Sequence, residues 1–90
     1  HAHEDPQQAA EHQERRAVLE HALATLPEQY RIVVVLKDIE GLSYEEIKSV
    51  LHLPVTTLKI RAVRARRRLA DQLRSDAKQE QERKEGDKSH

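Results

Sequence analysis

The stretch LSYEEIKSVLHLPVTTLKIRAVRARRRL, Leu42 to Leu69, decides how this chain folds. Ser43 with Glu46 three positions later has the spacing of a capping box, in which each side chain satisfies a free backbone N–H at the other's end of the turn. Leu42 before the cap and Ile47 at the fourth helical position are placed for a hydrophobic staple. Ile47, Val50 and Leu51 then give a core-facing stripe. That helix ends near His52, because Leu53 precedes Pro54 and is biased away from helical geometry. A second helix starts near Val55 and carries Leu58, Ala62, Ala65, Leu69 and Leu73 on one face. Two helices joined by a turn of about three or four residues, the second one basic, make a helix-turn-helix.

Upstream, Val18, Leu19, Ala22, Leu23 and Leu26 recur at helical spacing, and Asp5-Pro6 supplies a start for that helix. The next segment, LPEQYRIVVVLKDIEG, holds a β-prone run from Ile32 to Leu36. Pro27 and Glu28 in front of the run, Lys37 in its last turn and Gly41 behind it favour a buried helix instead. Downstream of Leu73 the periodicity decays into SDAKQEQERKEGDKSH, a mixed-charge tail expected to fray or be disordered.

The expected fold is therefore all-α, a four-helix domain with a C-terminal helix-turn-helix, its helices near residues 8–25, 28–39, 43–51 and 55–73. Residues 1–17 form a linker and the start of the first helix, residues 18–73 the domain, and residues 74–90 the charged tail. The expected core is Leu23, Leu26, Val33, Leu36, Ile47, Val50, Leu51, Leu58 and Leu69.

Composition narrows the function classes. Ninety residues, 36% of them charged and 2% aromatic, suit one small domain without a deep enzyme cleft. With no Phe, Trp, Met or Cys, the core rests on Leu, Ile, Val and Ala, and no disulfide or thiolate metal site is available. No apolar run nears the ~18 residues of a membrane span, and HAHEDPQQ is unlike a signal peptide, so the expected location is the cytoplasm, without membrane contact. His1, His3, His12, His21, His52 and His90 are scattered, and the carboxylates do not converge. No metal, cofactor, small-molecule substrate or catalytic residue is expected, and the chain does not read as an enzyme.

A formal net charge of zero hides a strong segregation. Residues 1–30 carry six acids against two bases, whereas residues 59–68 carry six bases and no acid. A solvated helix face usually mixes both signs, as residues 71–90 do; an acid-free block points to an anionic partner. With Leu58, Ala62, Ala65 and Leu69 inward, the opposite stripe is Lys59, Ile60, Val63, Arg64 and Arg67. In a major groove, Lys59 and Arg64 would meet base edges or phosphates, and Ile60 and Val63 thymine methyl groups. Arg61, Arg66 and Arg68 flank the stripe, suited to phosphate contacts that fix register without reading sequence.

The segments LPEQYR, LKDIEGLSYEEI, the LPV turn and RARRRL, in this order across residues 18–73, resemble region 4 of bacterial sigma factors of the extracytoplasmic-function (ECF) group. The resemblance implies a helical domain that recognises the −35 promoter element within RNA polymerase holoenzyme. It places Thr56, Thr57, Lys59, Ile60, Val63 and Arg64 among the base-reading positions, and Tyr44 and Glu45 at the DNA backbone. With Arg61, Arg66, Arg67 and Arg68, these last two make up the expected phosphate-contacting set. The implied partners are promoter DNA, the polymerase core and, as a further candidate, an anti-sigma factor.

Thr56 stands where the family usually has Gly, Ile60 where it has Ser, Ala62 where it has a larger aliphatic, and Ile32 where it has a charged residue. Thr56 thus adds a side chain at the helix tip, and Ile60 forfeits a hydrogen bond. The segment with which the family binds polymerase and melts the −10 element has no counterpart in these residues, so an excised domain or a sigma-like module in another setting is expected. Two functions remain: reading a −35 element, or a sigma-like module that binds an anti-sigma factor or another transcription protein with DNA contact reduced or lost.

Overall fold

Asp5 begins the first helix as its N-cap, accepting a hydrogen bond from the Gln7 N–H at 3.1 Å, with Pro6 in the first turn where no N–H is needed. In the computed structural model, which describes residues 5–87, four helices follow one another: α1 (Pro6–Ala24), α2 (Glu28–Val34), α3 (Tyr44–Leu51) and α4 (Val55–Asp87). α2 runs directly into a π-helical segment, Val35–Ile39. The β-prone run is helical, as its flanks imply, and no strand occurs among the described residues.

The widened turn ends at Gly41, whose φ of 78° costs a glycine nothing, and the Leu42 N–H donates across it to the Leu36 carbonyl at 3.0 Å. The chain is thereby turned into α3. There the Ser43 N–H donates to Glu46 Oε1 at 2.9 Å and the Glu46 N–H to Ser43 Oγ at 3.1 Å, which completes the capping box. α3 closes on His52, in the left-handed region at φ 58° and ψ 41°, its N–H donating to the Lys48 carbonyl at 2.8 Å. Three residues later, at Val55, α4 begins.

α4 runs past both halves of the core. Leu23, Leu26, Tyr30, Val34 and Ala65 form one cluster, with Leu19, Val35 and Leu69 packed against it. Val33, Ile47, Leu58 and Ala62 form the other, with Leu36, Leu42, Tyr44, Leu51 and Leu53 around it. Ala62 and Ala65 are fully buried, and their small side chains let α4 lie close on the helices beneath.

Three expectations need correction. Val50, expected in the core, is 57% exposed. Tyr44, Ile47 and Leu51 share the inward face of α3, and Val50 sits about 100° around the helix from Leu51, off that face. Leu36, Leu51 and Leu69 are half-buried, while Tyr30 and Val34, not expected in the core, are buried. The tail, finally, does not fray at Leu73, because α4 continues to Asp87. Side-chain pairs one turn apart support it: Arg74 with Asp71, Gln72 donating to Asp76 at 2.9 Å, Arg83 with Glu80 at 3.6 Å and Gln81 donating to Glu85 at 3.4 Å.

Candidate nucleic-acid interface

Burial of Leu58, Ala62 and Ala65 fixes which side of α4 faces solvent. Ile60 and Val63 are 46% and 45% exposed, as expected of the opposite stripe. Thr56, Lys59, Arg64 and Arg67 are exposed along the same side, and Thr57 and Arg61 are half-buried at its edge. The stripe carries no acid from Thr56 to Arg68, so the exposed side of the helix presents cations and two aliphatic patches to any partner.

The two flanks of this stripe differ. On one, Thr57, Ile60, Arg61 and Arg64 line a shallow depression with Gln29 and Tyr30 of α2. Further along this flank the Arg68 guanidinium lies 4.8 Å above the buried Tyr30 ring, and Arg64 and Arg67 border the same ring. Arg68 is therefore held in place by stacking while its polar edge stays exposed.

On the other flank, Arg66 is engaged within the protein. Its Nε and Nη2 donate to the two carboxylate oxygens of Asp38, both at 2.7 Å, tying α4 to the π-helical segment. The hydrogen bonds from Arg66 hold the Asp38 carboxyl below the usual carboxylate range, and Asp38 in turn raises the Arg66 guanidinium further. Arg66, expected at a phosphate, thus carries an ion pair within the protein while its side chain stays 45% exposed. Beside the pair, the half-buried Tyr44 ring carries two ammonium groups, Lys37 Nζ at 4.7 Å and Lys59 Nζ at 5.8 Å from its centroid. Glu45 is exposed next to it, its carbonyl accepting from Ser49 Oγ at 3.2 Å. A carboxylate cannot accept from a phosphate diester, so only the Glu45 backbone N–H suits a DNA backbone. Glu46 is committed to Ser43, whose N–H and hydroxyl hold its carboxyl below the usual range.

Lys37, Asp38, Gln29 and Tyr30 border the interface without having been singled out for it from the sequence. The π-helical segment carries Asp38 to Arg66 of α4 and Lys37 to the Tyr44 ring of α3, and a π turn leaves no local sequence signal. Among the described residues, no group of three or more His, Asp or Glu side chains is placed to hold a metal ion, and no helix is long and apolar enough to cross a membrane. His12, His21 and His52 are exposed and far apart in sequence; His1, His3 and His90 lie outside the described residues.

A family model described as Sigma-70, region 4, matches residues 16–69. Over 69 residues the chain is 44% identical to the ECF RNA polymerase sigma factor SigE of Mycolicibacterium smegmatis, covering 77% of this chain and 27% of that protein. It is 40% identical over 63 residues to the RNA polymerase sigma-H factor of Pseudomonas aeruginosa, covering 70% and 33%. A third relative is the ECF RNA polymerase sigma-E factor of Escherichia coli, 39% identical over 54 residues, covering 60% and 28%. The chain thus spans about a quarter to a third of the length of the curated relatives it matches.

Proposed function

Because the chain belongs to the sigma-70 region 4 family, we propose that it reads the −35 element of a promoter and presents that DNA to RNA polymerase in transcription initiation. The observation that carries this reading is the acid-free exposed stripe of α4, braced by α3 across a short turn. A helix of that kind fits a major groove, where base edges differ in donors, acceptors and methyl groups. Arg64 supplies a fork for a guanine edge. Ile60 and Val63 meet thymine methyl groups, and Thr56 and Thr57 lie at the helix tip closest to the groove floor. Arg61, Arg67 and Arg68 lie toward the phosphates, with Tyr44 and the Glu45 N–H on the bracing helix. The action is cytoplasmic, and no cofactor takes part.

The test is mutational, on a duplex recovered by the protein from a randomised pool and on a scrambled control. Arg64→Ala removes discrimination worth roughly 1–3 kcal/mol, whereas Arg67→Ala weakens both duplexes by the same factor. Equal losses on both duplexes for both variants would overturn the division of roles.

A second reading draws on the exposure of Ile60 and Val63. Exposed aliphatics beside one another also suit a protein surface, such as that of an anti-sigma factor. Ile60→Ser with Val63→His separates the two. A DNA reader changes its preferred sequence; a protein-binding module loses partner affinity while duplex binding stays weak in both forms.

A further inference from the structure

We propose that Arg66 and Arg68 clamp α4 from its two sides, through Asp38 of the π-helical segment and Tyr30 of α2, and so set the rotation at which the helix presents Ile60, Val63 and Arg64. Asp38 is then a positioning residue for base reading. The proposal rests on the promoter-reading function above.

Three observations carry it. First, the middle of α4 packs through single methyl groups: Ala62 and Ala65 are fully buried, while Leu69 further along is half-buried. Such short side chains form low ridges, which resist rotation of a helix about its own axis weakly. Leu58, the large buried side chain of α4, lies about two turns before Ala65. Second, the two arginines leave the helix on opposite sides of Ala65, Arg66 about 100° round it one way and Arg68 about 60° the other. Third, each ends on a partner in a different element. Arg66 meets both carboxylate oxygens of Asp38 at 2.7 Å, and the Arg68 guanidinium stacks 4.8 Å above the buried Tyr30 ring. A planar fork held through two hydrogen bonds fixes direction as well as distance, and so does stacking on a ring seated in the core.

The base-reading stripe lies across the helix from the buried alanines. Side-chain tips there stand about 6 Å from the axis, so a rotation of about 15° moves them by about 1.5 Å. A shift of that size takes a base contact out of its productive geometry. Long cationic side chains on the flanks follow a phosphate through the same rotation, because a phosphate contact asks for charge rather than a fixed edge. The clamp therefore acts on selectivity more than on total binding, and Asp38 does so without touching DNA.

The experiment uses the full 90-residue chain with a duplex selected by the wild type from a randomised pool, its scrambled counterpart, and a series of salt concentrations. Thermal melts without DNA set a temperature at which each variant is folded. Arg66→Ala and Asp38→Asn should each lower the ratio of selected to scrambled affinity by about fivefold, the lower end of what one base contact carries. Asp38→Asn removes an acid, so it should bind the scrambled duplex at least as well as the wild type. The exchange of Asp38→Arg with Arg66→Asp rebuilds the pair in reverse and should restore the ratio. Tyr30→Phe should keep the ratio and Tyr30→Leu lower it; should Tyr30→Leu fail to fold, the Asp38 variants decide. A ratio unchanged by Asp38→Asn overturns the clamp alone. Equal losses on both duplexes in Arg66→Ala, with the salt slope lowered by about 0.9 and no recovery in the exchange, make Arg66 a phosphate contact and also overturn it. A wild type that recovers no preferred duplex removes the promoter reading itself and the clamp with it.

Discussion

Arg66 and Asp38 stand 28 positions apart in sequence and meet through two hydrogen bonds of 2.7 Å, joining the long C-terminal helix to the π turn that precedes the helix-turn-helix. The pair is 45% and 38% exposed, so solvent screens it, but the bidentate geometry places it at the upper end of surface ion pairs. Asp38→Asn should therefore cost about 0.5–1 kcal/mol at neutral pH. The Asp38 carboxyl titrates below its unfolded range, so its contribution is present above that range and lost as pH falls through the folded value. Urea denaturation of wild type and Asp38→Asn should differ at pH 7 and converge near pH 2; a difference that persists in acid would assign the loss to packing instead.

His52 closes α3 in the left-handed conformation that a side chain makes costly. His52→Gly should stabilise the domain by about 0.5–1 kcal/mol, the relief of the Cβ clash exceeding the extra freedom of the unfolded chain. Chemical denaturation decides it, and a destabilised variant would mean that the imidazole makes contacts outweighing the backbone strain.

Ser43→Ala removes an acceptor from the Glu46 N–H and half of the capping box. A loss of about 1 kcal/mol is expected, read as a lower denaturation midpoint at unchanged slope. Glu46→Gln retains the reciprocal hydrogen bond to the Ser43 N–H and should be milder.

Ala65 is fully buried where α4 crosses Leu23, Leu26, Tyr30 and Val34. Ala65→Leu should cost roughly 1–3 kcal/mol by forcing α4 outward. Weakened duplex binding would follow from displacement of the exposed stripe. Unchanged stability would show that the cluster has room.

Ser43, Glu46, Gly41 and Pro54 were legible in the sequence because their effects are local: a cap, a left-handed stop and a helix break each act within a few residues. The four helices and the outward stripe of Ile60 and Val63 followed from them and from the apolar spacing. Val50 was not legible, because α3 is one short helix whose inward face is decided by Tyr44 as well as Ile47 and Leu51. Nor were the π turn and its consequences for Lys37 and Asp38. A helix widens over one turn without a change in residue type, and only the packed structure shows that Asp38 then meets Arg66 of α4 and Lys37 the Tyr44 ring of α3. The tail was read as fraying because its charges are mixed. The same charges pair one turn apart and carry the helix to Asp87.

The most direct test of promoter reading is a selection from a randomised duplex pool by the wild-type chain and by the Ile60→Ser, Val63→His variant, followed by sequencing of the bound fraction. If the exposed face of α4 reads base edges, the wild type enriches one short motif and the variant enriches a different one, with comparable total binding. A pool that stays random after selection by the wild type, or one motif enriched equally by both proteins, would contradict the assignment.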